Sequence, residues 1–228
     1  MGFKRILLKK LLIILLFPVF VRAQTTMRLE ASGTHYGSNG TFSTWTNTSA
    51  ALPLPCYQTG FKQSTTIAST TIAVNNSTST ATTCFAQVVS PALTAQTISG
   101  SVTGYARMSI ANTSGATVQS RVKITVINRT GAVVATLLAI TSGAANLTTT
   151  LTSVQMLNAA ALTSYACADG DRICIEIGIG RSTGTTARNG SISFGSSSAT
   201  DITAAGSTTA NNPVITFSGN ISFYKGTL

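Results

Sequence analysis

Apolar and polar residues alternate with a period of two along much of this chain. The longest alternating stretch is 96–110, where Val102, Ala106 and Met108 share one face and mostly hydroxyl-bearing residues share the other. The run from 172 to 180 alternates in the same way and carries isoleucine at every second position. This period is typical of strands with one buried face in an antiparallel sheet.

Further strands are predicted where β-branched residues cluster between turn signals. They cover 27–31, 65–74, 83–89, 121–128, 132–140, 190–195 and 214–224. Tight turns are predicted at 128–131 and 169–171, because Asn or Asp with a following Gly suits backbone with positive φ. The alternation places Lys123, Thr125 and Glu176 on outward faces. The one helix-like stretch is 152–162, where at most a turn or two of helix is expected.

These short strands and Gly-rich turns predict an all-β fold, an antiparallel two-sheet β-sandwich of jelly-roll-like type. Residues 24–228 are expected to form a single domain of this kind. Edge strands of such a fold need protection, and Thr and Ser faces provide little charge for it. This favours a protein that sits in an assembly or on a surface.

The first 23 residues have the layout of a secretory signal peptide. Four basic residues within 4–10 precede an apolar core at 11–21, and Ala23 ends the segment. Cleavage after Ala23 would leave Gln24 as the mature start. An uncleaved anchor is the alternative, but the apolar run is shorter than the about 20 residues that a spanning helix needs. We therefore expect a secreted or cell-surface protein with no membrane span after cleavage.

The leader changes the charge of the molecule. The full chain has a formal net charge of +10, and five of its fifteen basic residues but none of its five acids lie in the leader. The formal net charge of the mature chain is therefore 10 − 5 = +5. Its basic residues are scattered singly, so the sequence does not favour a nucleic-acid partner.

The chain is poor in catalytic side chains. It contains five carboxylates and one histidine, His35. General acid–base or nucleophilic catalysis needs such groups in sets, so we expect no enzyme and no catalytic residue. Asp169 and Asp171 could begin a calcium site, which needs six to eight oxygen ligands, or could simply belong to a turn. No other cofactor is expected.

Four cysteines lie beyond the leader. In an exported protein an even number suggests disulfides, and the pairs Cys56–Cys84 and Cys167–Cys174 join neighbours in sequence. Four buried free thiols are the alternative. The spacing lacks the C-x-x-C pattern of a zinc site.

Tyr36 and Trp45 are the candidate ligand-binding aromatics. Both lie in a region rich in Gly, Ser and Thr, where exposed rings beside hydroxyls could stack on a sugar. Trp45 could instead anchor the core or its rim, as large aromatic side chains usually do.

Several ordered stretches of the chain resemble one group of proteins. They are MRLEASGT at 27–34, SPALTAQTISGSVTGYAR at 90–107, RVKITVINRTGAVVATLL at 121–138, DGDRICIEIG at 169–178, TARNGSISFG at 186–195, TDI at 200–202 and NNPVITFS at 211–218. From Arg28 onward the chain resembles small, uncharacterised phage virion-associated proteins. The resemblance implies an all-β virion component, with no catalytic residues to assign.

Together these observations predict a non-catalytic, exported structural or surface protein. It would be a virion-like β-sandwich subunit that assembles with itself, as a homo-oligomer, or with another structural protein. The alternative is a carbohydrate-binding module used in adhesion, with a glycan as its partner.

Overall fold

The computed structural model describes residues 24–30, 45, 47–48, 54–58, 68–74, 82–184, 186 and 188–224, with only the backbone described for 47–48, 54–58, 68–74 and 85. The strands in these ranges are β1 (Thr25–Leu29), β2 (Asn47–Thr48), β3 (Leu54–Gln58), β4 (Ala68–Val74), β5 (Thr82–Val89), β6 (Gln96–Ile98), β7 (Ser101–Ile110), β8 (Ala116–Ile127), β9 (Val133–Asn146), β10 (Thr152–Ala161), β11 (Tyr165–Cys167), β12 (Arg172–Gly184), β13 (Arg188–Phe194) and β14 (Val214–Phe217). These residues include no helix with the length and apolar character of a membrane span. The predicted leader, 1–23, lies outside the described residues.

The strands form a β-sandwich in which neighbours pair antiparallel, except that β5 pairs in parallel with β2 and β3. In one half, β10 pairs with one edge of β7, and β13 and β14 both pair with its other edge. Strand β1 then pairs with β14, and β4 pairs with β13. The other half runs β5, β12, β8, β9. Strand β3 joins the halves by pairing with both β1 and β5, while β6 and β11 form a small separate sheet. The predicted all-β, antiparallel sandwich class is confirmed.

The main hydrophobic core lies between the two halves. In β7 the alternation is regular, and Val102, Ala106 and Met108 are buried as predicted. From β12 the core takes four isoleucines, at positions 173, 175, 177 and 179, all fully buried. Each buried side chain of this size stabilises the fold by about 1.5–3 kcal/mol relative to exposure.

The predicted turn at 128–131 is confirmed. The Asn128 backbone N–H donates to the carbonyl of Ala132 at 2.9 Å, and the Gly131 N–H donates back to the Asn128 carbonyl at 3.0 Å. Gly131 has φ +84°, a conformation that suits glycine best. The Asn128 side-chain oxygen also accepts from the Thr130 N–H, which fixes the turn locally.

The prediction of helical turns in 152–162 was wrong. This segment is β10, which pairs antiparallel with β7 and has two register shifts. The shifts break simple alternation, so Val154, Met156 and Leu157 are all buried. Their uneven spacing resembles a helical period, and only the pairing with β7 identifies the segment as a strand.

Strand β9 ends the path of the second half and contains no charged residue. Val133 and Asn146 of β9 pair with Ile127 and Gln119 of β8, so 13 residue steps in β9 lie opposite only eight in β8. The extra residues of β9 form several bulges. Bulges are one of the ways in which edge strands avoid continuous pairing with other chains. Part of β9 also approaches the segment that follows β10, where the Thr163 N–H donates to the Leu137 carbonyl at 2.8 Å.

Candidate functional site

A row of polar side chains crosses three neighbouring strands on the face of β12 that is opposite the isoleucines. Glu176 of β12 lies directly between Gln87 of β5 and Lys123 of β8. The Lys123 Nζ lies 3.5 Å from Glu176 Oε2, and Gln87 Nε2 donates to Glu176 Oε1 at 3.0 Å. Because the sheet pleat puts register partners on one face, this pairing dictates that the three side chains meet.

The row is sealed from solvent. The indole N–H of Trp45 donates to Glu176 Oε2 at 2.8 Å, and the side chains of Lys123 and Glu176 are only 4% and 2% exposed. The face assignment of Lys123, Thr125 and Glu176 was therefore right, but the expectation that this face is outward was wrong. Trp45, which lies 131 positions before Glu176 in the sequence, helps to cover it.

A bulge in β5 completes this arrangement. Ile177 pairs with Ala86 and Gly178 with Cys84, so Phe85 is the extra residue. The bulge brings Cys84 onto the same face as Gln87, which simple alternation would forbid. The bulged backbone of β5 fits against β12 because Gly178 has no side chain. A Cβ there would lie 2.0 Å from the Thr83 carbonyl oxygen.

The cysteines form neither predicted disulfide; Cys84, Cys167 and Cys174 are buried free thiols. Cys167 belongs to the main core, whereas Cys174 packs with Val89 and Ile127 on the other side of the sheet. The side chains of Cys167 and Cys174 therefore pack in different places and do not meet as the predicted disulfide requires.

The strand pairing of β3 with β5 excludes a disulfide between Cys56 and Cys84. Pro55 of β3 lies opposite Val89 of β5, so Cys56 lies about six residues beyond Cys84 along the strands. That offset is about 20 Å at the rise of a strand, whereas a disulfide needs Cα atoms within about 7 Å.

Burial disfavours the thiolate form of these cysteines. It raises the pKa of Cys174 to about 12, and the negative charge of Glu176 adds to the effect. Burial, with a smaller contribution from Asp171, raises the pKa of Cys167 to about 11. The pKa of Cys84 is also raised, first by burial and then by Glu176. Thiolates are the nucleophilic form, so none of the three is suited to covalent catalysis.

Asp169 and Asp171 serve the turn rather than an open cation site. Asp169 Oδ1 accepts from the backbone N–H of Ala95 at 2.6 Å, and Asp171 Oδ2 accepts from that of Ala168 at 2.9 Å. Across the residues that the structure describes, no group of three or more His, Cys, Asp and Glu side chains is placed to hold a metal ion.

The remaining two carboxylates, Asp201 and Glu30, are likewise paired or buried. Asp201 Oδ1 accepts from Arg28 Nε at 2.7 Å and from Asn212 Nδ2 at 3.0 Å. Glu30 is fully buried. All five carboxylates of the chain thus lie within the described residues, and each is buried, hydrogen-bonded or ion-paired.

Of the two candidate ligand aromatics, Trp45 is 8% exposed and bonded to Glu176, so it acts as a core anchor and not as a stacking surface. Tyr36 and His35 lie outside the described residues.

The sequence did not predict a groove that lies beside the β6–β7 turn and the end of β14. Its volume is about 300 Å³, and its lining includes the polar side chains of Thr97, Ser99, Ser218 and Asn220. The two segments meet because the Ser101 N–H donates to Ser218 Oγ at 2.9 Å. Among the described residues that line this groove none is charged, so it suits a neutral polar molecule.

No protein-family model and no curated protein sequence matches the chain. Among solved structures, one titled "Structure of infectious bursal disease virus Gx strain" is similar at 12% identity and a TM-score of 0.20. The match covers 86% of this chain and 60% of that chain, so this chain spans less than two thirds of its length. A TM-score this low gives no basis for transferring fold or function.

Proposed function

We propose that this protein is a non-catalytic, exported structural subunit that assembles with copies of itself. The observation that carries the proposal is the position of its carboxylates. Three of the five, Glu30, Asp171 and Glu176, are buried; Asp169 accepts a turn N–H, and Asp201 is paired with Arg28. Acid–base hydrolysis commonly needs two carboxyl groups across a cleft, about 5–10 Å apart, and the burial and pairing of these carboxylates argue against such an arrangement.

Self-assembly is supported by the start of β9. Val133 and Val134 are 38% and 40% exposed, beside the turn at Gly131. The strand has no charge to repel a second copy, which matters because the mature chain is net basic. Its bulges oppose pairing along the whole strand, so we place the contact at this apolar end.

The burial of several basic side chains argues against a nucleic-acid partner. Arg121, Lys123 and Arg181 are all buried, so part of the positive charge of the mature chain is not on the surface. Electrostatic binding to phosphates depends on clustered, accessible cations. We therefore propose protein partners, at a cell surface or in an extracellular particle.

The second candidate is binding of a neutral glycan, favoured by the hydroxyl-lined groove at Ser99 and Ser218. A glycan array and light scattering on the secreted chain separate the two. Stable oligomers with no glycan signal support the structural subunit. A monomer whose glycan signal is lost in Ser218→Leu supports the binding module and contradicts the first proposal.

A further inference from the structure

Two groups with complementary reactivity meet at the buried carboxyl of Glu176. Lys123 brings an amine to Oε2 at 3.5 Å, and Gln87 brings a primary carboxamide to Oε1 at 3.0 Å. Oε1 thus contacts the nitrogen of Gln87, whereas Oε2 contacts the nitrogens of both Lys123 and Trp45. An amine can attack a carboxamide when a proton relay serves both the attacking and the leaving nitrogen.

The surroundings favour this reaction over simple ion pairing. Glu176 and Gln87 are both buried, so water is excluded from the row. Burying an ammonium and a carboxylate carries a desolvation cost, and condensation of the amine with the carboxamide removes the ammonium from the row. The pairing of β5 and β8 on either side of β12 keeps both reactants next to the carboxyl.

We propose that Lys123 and Gln87 become joined by an intramolecular isopeptide bond, with Glu176 as the proton relay. Lys123 Nζ first gives a proton to Glu176 Oε2 and then attacks Gln87 Cδ, forming the C–N bond. The Cδ–Nε2 bond breaks, and the leaving nitrogen takes a proton from the carboxyl and departs as ammonia. The attacking nitrogen returns one proton to Glu176, which ends neutral, so atoms and charge balance without an oxidant or cofactor.

The bond would link β5 to β8 across β12 and lock the centre of the second half of the sandwich. Trp45 has a positioning role, since its indole N–H holds Glu176 Oε2 at 2.8 Å. This inference does not rest on self-assembly, because the link lies within one chain.

Peptide mapping tests the proposal directly on protein purified from cells expressing the full chain. Trypsin should release a branched species that joins 63–107 to 122–129, with cleavage at Lys123 blocked and the mass lowered by one ammonia. Intact mass alone does not suffice, since an N-terminal Gln24 loses the same ammonia on cyclising. Fully unlinked 63–107, together with cleavage after Lys123, would overturn the proposal.

Variants identify the groups. Lys123→Arg keeps the cation and Gln87→Met keeps the side-chain length, and each should abolish the branched species. Glu176→Gln should abolish it while leaving both reactants present. Gln155→Met, at a glutamine that contacts Asn158 elsewhere, is the matched control and should retain it. Persistence of the link in Glu176→Gln would refute the relay.

Discussion

Replacing Gly178 with alanine should lower the free energy of unfolding by about 1–3 kcal/mol, the usual cost of overpacking a buried site. A Cβ at this position would lie 2.0 Å from the Thr83 carbonyl oxygen and 2.9 Å from the Cys84 Cα. Both atoms belong to the backbone of β5, so rotation of a side chain cannot relieve the clash. The two strands must separate at the bulge that puts Cys84 and Gln87 on one face.

The matched control is Gly219→Ala. A Cβ there would meet only the Ser99 carbonyl oxygen, at an ordinary 3.7 Å. This change should leave stability within about 0.5 kcal/mol or raise it slightly, since alanine restricts the unfolded chain. Guanidinium unfolding followed by the fluorescence of Trp45, the one tryptophan of the chain, measures both variants. Equal midpoints for the two variants would refute the close approach of β5 and β12.

Three further outcomes are expected. Alkylation of the unfolded protein without reductant should label Cys84, Cys167 and Cys174, whereas the native protein should react very slowly, because the thiols are buried; an unlabelled thiol in the unfolded protein would restore a disulfide. The free energy of unfolding should fall as pH rises from 9 towards 11. In the unfolded chain the thiols lose their protons near their ordinary pKa of 9.0, whereas in the folded chain the pKa is about 11 for Cys167 and about 12 for Cys174. A flat profile would contradict the burial of these groups. Mass spectrometry of the N-terminal peptide of exported protein should find Gln24, open or cyclised, as the first residue, and recovery of the leader would contradict cleavage.

Alternation predicted the core faces of β7 and β12 correctly because a strand's side-chain period depends only on local geometry. The same pattern could not show that Lys123 and Glu176 are buried, since their cover includes Trp45, a residue of a distant segment. An alternating strand with a polar second face looks identical whether water or another part of the chain lies against that face.

Bulges were the second source of error. The register shifts of β10 gave it an apparent helical spacing, and the extra residue Phe85 set the face of Cys84. Neither shift has a signature within its own segment, because a bulge is defined by the partner strand. Pairing cysteines by sequence distance failed for the same reason, since faces and register decide which thiols can meet.

Multi-angle light scattering of the purified, folded protein over a dilution series tests the proposed structural role most directly. A subunit built for assembly should form an oligomer of fixed mass that persists on dilution. Val133→Lys, placed at the exposed end of β9, should reduce that mass while the protein stays folded. A wild-type chain that is monomeric at every concentration would contradict self-assembly.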